Sequence, residues 1–331
     1  MAAPSLGAWP AAQDWELEAW HRVLARMDDP LPFGTPEWQR AWWEHFGDGA
    51  LTILPFEADR EIAGVGALVR DARGCARFLG GGRGEPDLVD YPGPAIAPGG
   101  ATAVAEGLIA RLRGAEHGWR ALELRNARPE DGLAGALLAA ADRAGLPALS
   151  REDEPIAVLE LPRSYDAYLE GLARRPRHEL RRKERRLQRE LPGARVRTAS
   201  PAAVDADAAL LCRLMRQAPG AKGAFMSARV EAFFRRVASD CALRLDILEH
   251  GDRPLAVAVG LRTTRAHHLY NMAFDRAIAS LSPGMVLLAA IIRQAVDDGL
   301  ERFDFMRGLE RYKLELGGTA HRLERVAVSA Q

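Results

Sequence analysis

Residues 281–312, LSPGMVLLAAIIRQAVDDGLERFDFMRGLERY, restrict the fold more than any other stretch. Ser282-Pro283-Gly284 offers a capping hydroxyl, a first-turn proline and a residue without a side chain at a helix start. Met285, Leu288, Ile291, Ile292 and Ala295 then share one stripe, and Gly299 marks the helix end. Arg302-Phe303-Asp304-Phe305-Met306 alternates with a period of two, the mark of a strand. Arg307-Gly308 turns the chain, and Glu310, Tyr312 and Lys313 follow. Such a unit is suited to holding an anion at the helix start. The free amides and positive dipole end attract phosphate, and Gly284 permits close approach to the backbone.

The chain of 331 residues exceeds one comfortable core, so two domains of about 150 residues are expected. Net charge is zero, which argues against a chain committed as a whole to nucleic acid or an acidic membrane. Any basic site must be local. Cys75, Cys212 and Cys241 lack metal-ligand spacing and read as reduced thiols of a cytoplasmic protein. Residues 1–20 contain no basic flank followed by an apolar run, so no signal peptide is expected. The longest apolar stretch, 285–292, is far shorter than the roughly 20 residues a membrane span needs.

Elements alternate along the first half. Helices are expected at 15–27 and 36–46, strands at 51–57, 62–70 and 76–79, then a helix at 101–114, a strand at 121–125, a helix at 131–144 and a strand at 156–160. Gly80-Gly81-Gly82-Arg83-Gly84 has no helix after it and reads as a flexible or substrate-facing loop, not a nucleotide loop. In the second half, helices are expected at 164–172, 176–190, 204–217 and 228–239. Strands follow at 242–249, 255–263 and 266–274, and a last apolar alternation lies at 323–328.

The helix 174–190 carries Arg174, Arg175, Arg177, Arg181, Arg182, Lys183, Arg185, Arg186 and Arg189, with only Glu179 and Glu184 opposing them before its last residue. Leu180, Leu187 and Leu191 form its one apolar stripe. It reads either as a clamp for a polyanion, whether transfer RNA, CoA phosphates or an acidic polysaccharide, or as a solvated linker helix. It has no exposed aromatics for base stacking, which weighs against RNA.

The string SPGMVLL…DDGLERFDFMRGLERYK resembles the core of a GNAT-type acyltransferase family found in bacterial polysaccharide and cellulose gene clusters, related to the Fem-type aminoacyltransferases of peptidoglycan synthesis. The likeness extends through LARRPRHELRR at 172–182, Phe233-Phe234 and 245–260, and reaches FGTPEW at 33–38 and DYPG at 90–93. The family's usual pyrophosphate loop has further glycines, whereas Gly284 stands alone here. The resemblance implies an α/β (α+β) fold of two tandem GNAT-like domains with mixed, mostly antiparallel sheets flanked by helices. The expected domains are 1–162 and 163–331, the second catalytic and opening with the basic helix.

The resemblance further implies acyl transfer from acetyl-CoA or another acyl-CoA to an amine or hydroxyl of a sugar, peptide or small metabolite. The donor would lie along Met272, Ala273, Ser282, Gly284 and Met285, its carbonyl held by an amide near Met272 or Ala273. Glu310 is the expected base and Tyr312 the expected acid; Asp304 is the alternative base or a structural carboxylate. Transfer of an aminoacyl group from charged tRNA is the nearest alternative. A non-catalytic protein that binds CoA or a polysaccharide precursor is the other. His267 and His268 point to opposite faces of one strand and read as sheet histidines, not a metal pair. Lys222, Gly223 and Phe225 are acceptor-site candidates.

Overall fold

The computed structural model describes residues 9, 14–81, 88–114, 116–241 and 243–330. The Gly82-Arg83-Gly84 part of the glycine-rich loop lies outside them, as do most of residues 1–13. The chain forms two units, one of residues 1–155 and 322–331, the other of residues 156–321.

In chain order the first unit begins with α1 (Asp14–Arg26), α2 (Pro36–Phe46), β1 (Ala50–Ala58), β2 (Glu61–Arg70), β3 (Cys75–Phe78) and β4 (Ala95–Ile96). It continues with α3 (Ala101–Arg113), β5 (Ala121–Ala127), α4 (Leu133–Arg143) and β6 (Ala148–Glu152). The second unit contains β7 (Ile156–Glu160), α5 (Tyr165–Gly171), α6 (Arg174–Glu190), β8 (Arg195–Thr198), α7 (Val204–Arg216), α8 (Ala221–Phe225) and α9 (Ala228–Asp240). Then come β9 (Arg244–His250), β10 (Arg253–Arg262), β11 (Ala266–Phe274), α10 (Pro283–Asp297), β12 (Arg302–Arg307), α11 (Arg311–Glu315) and β13 (Thr319–His321). The last strand, β14 (Glu324–Ser329), belongs to the first unit.

Each unit holds a seven-stranded sheet, and the two sheets share one plan. The first runs β1-β2-β3-β5-β14-β6, with β4 also on β2; the second runs β8-β9-β10-β11-β12-β7-β13. Each has one parallel neighbour pair, β3 with β5 and β11 with β12, and antiparallel pairs elsewhere. A helix covers each parallel crossover, α3 in one unit and α10 in the other, as parallel neighbours require. The expected boundary at 162/163 does not coincide with this division, because two strands change places. β7 follows the first half in sequence but pairs with β12 and β13, while β14 follows the second half but pairs with β5 and β6.

The core of the second unit lies on the α10 face of its sheet. Leu287, Leu288, Ile291, Ile292 and Ala295 of α10 pack on Ala256, Ala258, Leu269, Phe303 and Phe305, and Leu180 and Leu187 fasten α6 to the same cluster. Full burial stabilises each such side chain by about 1.5–3 kcal/mol, enough to hold the strongly charged α6 in place. Phe233 and Phe234 of α9 are buried too, and Phe234 stacks on Tyr270 of β11 at 5.5 Å between ring centroids. α10 ends as expected. Gly299 has a φ of 74°, and the Leu300 amide reaches back to the Ala295 carbonyl at 3.0 Å.

Short polar strands escaped the sequence reading. β6 is exposed at every residue, so it has no apolar alternation to betray it, and its one ladder partner among the described residues is β14. Removing residues 322–331 would therefore strip β6 of its ladder partner and β5 of one of its two, the other being β3. The expected outcome is loss of amide-exchange protection in β5 and β6 with β9–β12 unchanged; intact protection in β6 would contradict this pairing.

Candidate active site

β11 is nine residues long yet pairs with β12 only where Ala266, His267 and His268 meet Arg302, Phe303 and Asp304. Beyond that point the strands separate. A bulge on each one bends it away. The ladder of β11 to β10 slips between Val259 and Gly260, leaving Tyr270 as the extra residue. On β12, Phe305 and Met306 both lie between the partners of Val158 and Ile156, so two residues oppose one. Met306 has a φ of 63°, a left-handed conformation that costs a non-glycine residue about 1–3 kcal/mol.

The surroundings hold that strained turn. The Met306 amide donates to Asp304 Oδ1 at 2.7 Å. Lys313, only 3% exposed, points its ammonium at the carbonyls of Met306 (3.5 Å), Arg307 and Gly308 (3.2 Å), and at Glu310 Oε2, 2.8 Å away. Buried ammonium groups need such partners, and this one organises the whole loop after β12. Glu310 itself is well exposed.

Asp304 accepts the Met306 amide, and its second oxygen has a partner on β11. Oδ2 lies 3.0 Å from His268 Nδ1, across the last paired rung before the gap. Both residues are buried, and His268 Nε2 has no hydrogen-bond partner among the described residues. Sequence reasoning read His268 as a sheet histidine. The available signal was a polar residue on each of two adjoining apolar strands, but their register could not be read in advance. His267, one residue earlier, turns to the opposite face and stacks on Phe303 at 5.0 Å. Burial, aided by the nearby Arg244, lowers its pKa to about 3, so it is a neutral core residue.

On the open edge of β11, the Met272 amide donates to Asn271 Oδ1 at 2.9 Å, and its carbonyl accepts from Lys222 Nζ at 2.6 Å. The amide expected to hold a donor carbonyl is thus engaged by a side chain. Ala273 pairs with Val257 and is buried. Desolvation lowers the pKa of Lys222, and the Glu310 charge opposes that shift, so Lys222 and Glu310 face one another electrostatically across the loop ends. Tyr312 packs against the core cluster of α10; burial, and secondarily Glu310, raises its phenol well above the usual range. Of the acceptor-site candidates, Lys222 reaches the gap edge, and Gly223 and Phe225 lie on the same short helix, α8.

The start of α10 departs from expectation. Ser282 occupies the cap position but is left-handed (φ 54°, ψ 47°), and its side chain makes no capping bond, because a hydroxyl cap requires extended backbone there. Its carbonyl instead accepts the amides of Met285 (3.0 Å) and Val286 (3.2 Å). Gly284 is buried against β11: a Cβ there would lie 3.0 Å from Met272 Cε and 3.3 Å from Phe274 Cδ1. Close helix–strand packing is therefore its first task. Beside this turn lies a cavity of about 440 Å³, where Met285 meets Arg175, Glu179 and Lys183 of α6 and Arg311 and Glu315 of α11. Three cations converge there from two helices. Among the described residues, no group of three or more His, Cys, Asp or Glu is placed to hold a metal, and no helix is long and apolar enough to cross a membrane.

Residues 174–314 match a family model described as an acetyltransferase (GNAT) domain. The matched span includes α6, the gap, α10 and most of α11. FemX is similar in structure at 10% identity over 94% of this chain and 95% of its own, with a TM-score of 0.63. A conserved protein of unknown function from Bacteroides thetaiotaomicron VPI-5482 is similar at 9% identity over 95% of this chain and 97% of its own, also with a TM-score of 0.63. Comparison with curated proteins gave no match. At such identities the structural likenesses speak for the fold alone.

Two outcomes follow for stability. Lys313→Met keeps the apolar stem but leaves the carbonyls of the 306–308 turn without their donor, at about 1–3 kcal/mol for each one left unpaired. Glu310→Gln removes only an exposed partner and should cost less than about 1 kcal/mol. Urea unfolding should separate them by at least about 2 kcal/mol; equal midpoints would deny Lys313 this role. His267 generates a pH effect of definite sign. Its folded pKa, about 3, lies below the ordinary value of 6.5, so only the unfolded chain takes up its proton between them. Stability is unaffected above pH 6.5 and falls as pH drops from there, by up to about 1.4 kcal/mol per pH unit. His267→Gln should show a shallower fall between pH 7 and pH 5, and an unchanged slope would count against a neutral buried His267.

Proposed function

We propose that the second unit is an acyltransferase that moves an acyl group, acetyl in the simplest case, from an acyl-CoA to an amine or hydroxyl of a sugar, peptide or small metabolite. The acetyltransferase-domain match supports the reaction class. The observation that carries the donor assignment is the cavity of about 440 Å³ beside the start of α10, with Arg175, Lys183 and Arg311 on its walls. Phosphates suit that place: guanidinium and ammonium groups form charge-assisted bonds to them, and the helix end adds its dipole. The gap between β11 and β12 then accommodates the thioester arm, with its carbonyl near the Met272 and Ala273 edge. A CoA-dependent reaction of this kind belongs in the cytoplasm.

Most of the rate in such a reaction comes from alignment, and effective molarity supplies roughly 7–11 kcal/mol when two bound partners are well oriented. Asn271 and Lys222 hold the Met272 amide and carbonyl, and an incoming carbonyl would compete with Asn271 for the amide. Glu310 is proposed as the counter-charge that keeps Lys222 and Lys313 at the loop end. Tyr312, its phenol raised by burial, keeps its proton and serves as a hydrogen-bond donor. The leaving thiol, with an ordinary pKa near 8.5, needs little acid assistance.

A second reading draws on cations that the cavity does not use. Arg174, Arg181, Arg182, Arg185 and Arg189 of α6 are exposed, which suits a longer polyanion such as charged tRNA, the donor of Fem-type enzymes. Parallel titration with acetyl-CoA by calorimetry and with charged tRNA by gel shift discriminates the two. Under the CoA reading, Arg175→Gln with Lys183→Gln should weaken acetyl-CoA by roughly tenfold or more, since each charged hydrogen bond contributes about 1.5–3 kcal/mol, and should flatten the salt dependence. The exposed set changed to Gln should leave acetyl-CoA affinity alone. Unaltered binding in the Arg175/Lys183 variant would remove the cavity from the donor site.

A further inference from the structure

We propose that His268 takes the proton from the acceptor nucleophile, with Asp304 as the positioning residue that fixes its imidazole; the proposal rests on the acyl-transfer reading above.

The geometry is that of an oriented base. His268 and Asp304 are cross-strand neighbours on the last paired rung of β11 and β12, so they close the narrow end of the gap. Asp304 Oδ2 is 3.0 Å from Nδ1, and Oδ1 is anchored by the Met306 amide at 2.7 Å, which leaves the carboxylate little freedom to rotate. A carboxylate only accepts, so Nδ1 carries the hydrogen and Nε2 holds a lone pair. That nitrogen has no hydrogen-bond partner among the described residues, although His268 is 4% exposed and Asp304 6%. An unpaired buried polar atom costs about 1–3 kcal/mol, and a sheet has ready apolar replacements for such a residue. The fold therefore retains a group whose partner arrives from outside.

His267 provides the contrast. Its Nε2 also has no hydrogen-bond partner among the described residues, but its ring lies on Phe303 over Gly260 on the α10 face, and no carboxylate among the described residues orients it. His268 lies on the opposite face, the side on which Phe234 of α9 stacks on Tyr270. Donor phosphates held beside α10 and an acceptor admitted from the α9 side would meet in the gap from opposite faces. In the reaction, the acceptor nitrogen or oxygen attacks the thioester carbonyl carbon. The new bond to carbon forms and the carbon–sulfur bond breaks. The acceptor's proton passes to Nε2, the imidazolium is held by the Asp304 carboxylate, and the proton then goes to the departing sulfur, giving free CoA thiol.

The test uses acetyl-CoA with amino sugars and with water as acceptors, and reads thiol release and, separately, acetyl-CoA affinity by calorimetry. His268→Gln should lower kcat by roughly 10²–10³ with acetyl-CoA affinity within twofold of the unmodified protein. Added imidazole should restore part of the rate in His268→Gly. Asp304→Asn should lower kcat and move the ring hydrogen off Nδ1 in ¹⁵N spectra, a change that a purely structural carboxylate would not produce. A folded His268→Gln with thiol release within threefold overturns the proposal while leaving acyl transfer standing. If the unmodified protein neither binds acetyl-CoA nor releases thiol, the acyl-transfer reading itself fails and the proposal falls with it. Should both His268 variants misfold, carbethoxylation of the unmodified protein decides: modification of His268 slowed by acetyl-CoA supports the assignment, and an unreactive His268 overturns it.

Discussion

One carboxylate, Asp304, sets the geometry of the second unit's gap. One oxygen accepts the Met306 amide, which stabilises the left-handed residue that turns β12 away from its neighbour; the other holds His268 at the rung where the separation begins. From the far side, Lys313 gathers the carbonyls that the same turn exposes. The bend thus has its amide end and its carbonyl end satisfied by two buried charges of opposite sign. The gap is a consequence of that arrangement and not of a missing strand.

Much of this was written in local pattern. The stripe of α10, the alternation of β12 and the termination at Gly299 depend on residues within a few positions of one another, where period and turn chemistry are readable. What failed was non-local. The Ser282 hydroxyl could cap only if its backbone were extended, and the preceding 3-10 turn at Arg276–Leu281 delivers it left-handed instead. His268 looked like any sheet histidine until the parallel register placed Asp304 beside it. The basic helix read as one undivided patch, whereas Leu180 and Leu187 orient it so that Arg175 and Lys183 face the cavity and Arg181, Arg182 and Arg185 face solvent.

The first unit repeats the backbone device with different chemistry. β5 also bulges against its inner neighbour, and Asn126 there has a φ of 46°. On the parallel rung, however, Arg77 lies opposite Glu123, bonded at 2.9 Å, and Glu123 also pairs with Arg325. Two guanidinium groups on one carboxylate leave no basic lone pair, so that rung is an ion-pair clasp. The same fold plan thus carries a saturated charge cluster in one unit and an unpaired nitrogen in the other.

The exchange of β7 and β14 has a consequence for how the molecule comes into being. A nascent chain emerges from its N-terminus, yet the sheet of the first unit has its inner strand between β5 and β6 only when Glu324–Ser329 arrives. Until the second unit has been made, β5 and β6 present unsatisfied edges with no template between them. Closure of the first unit must wait for a segment that follows the second, a contact of very long sequence separation that slows folding and prolongs exposure to edge-to-edge association. Neither half is a self-sufficient cassette. A genetic event that shuffles one of them alone carries away a strand its counterpart needs, so the pair is bound to be inherited whole.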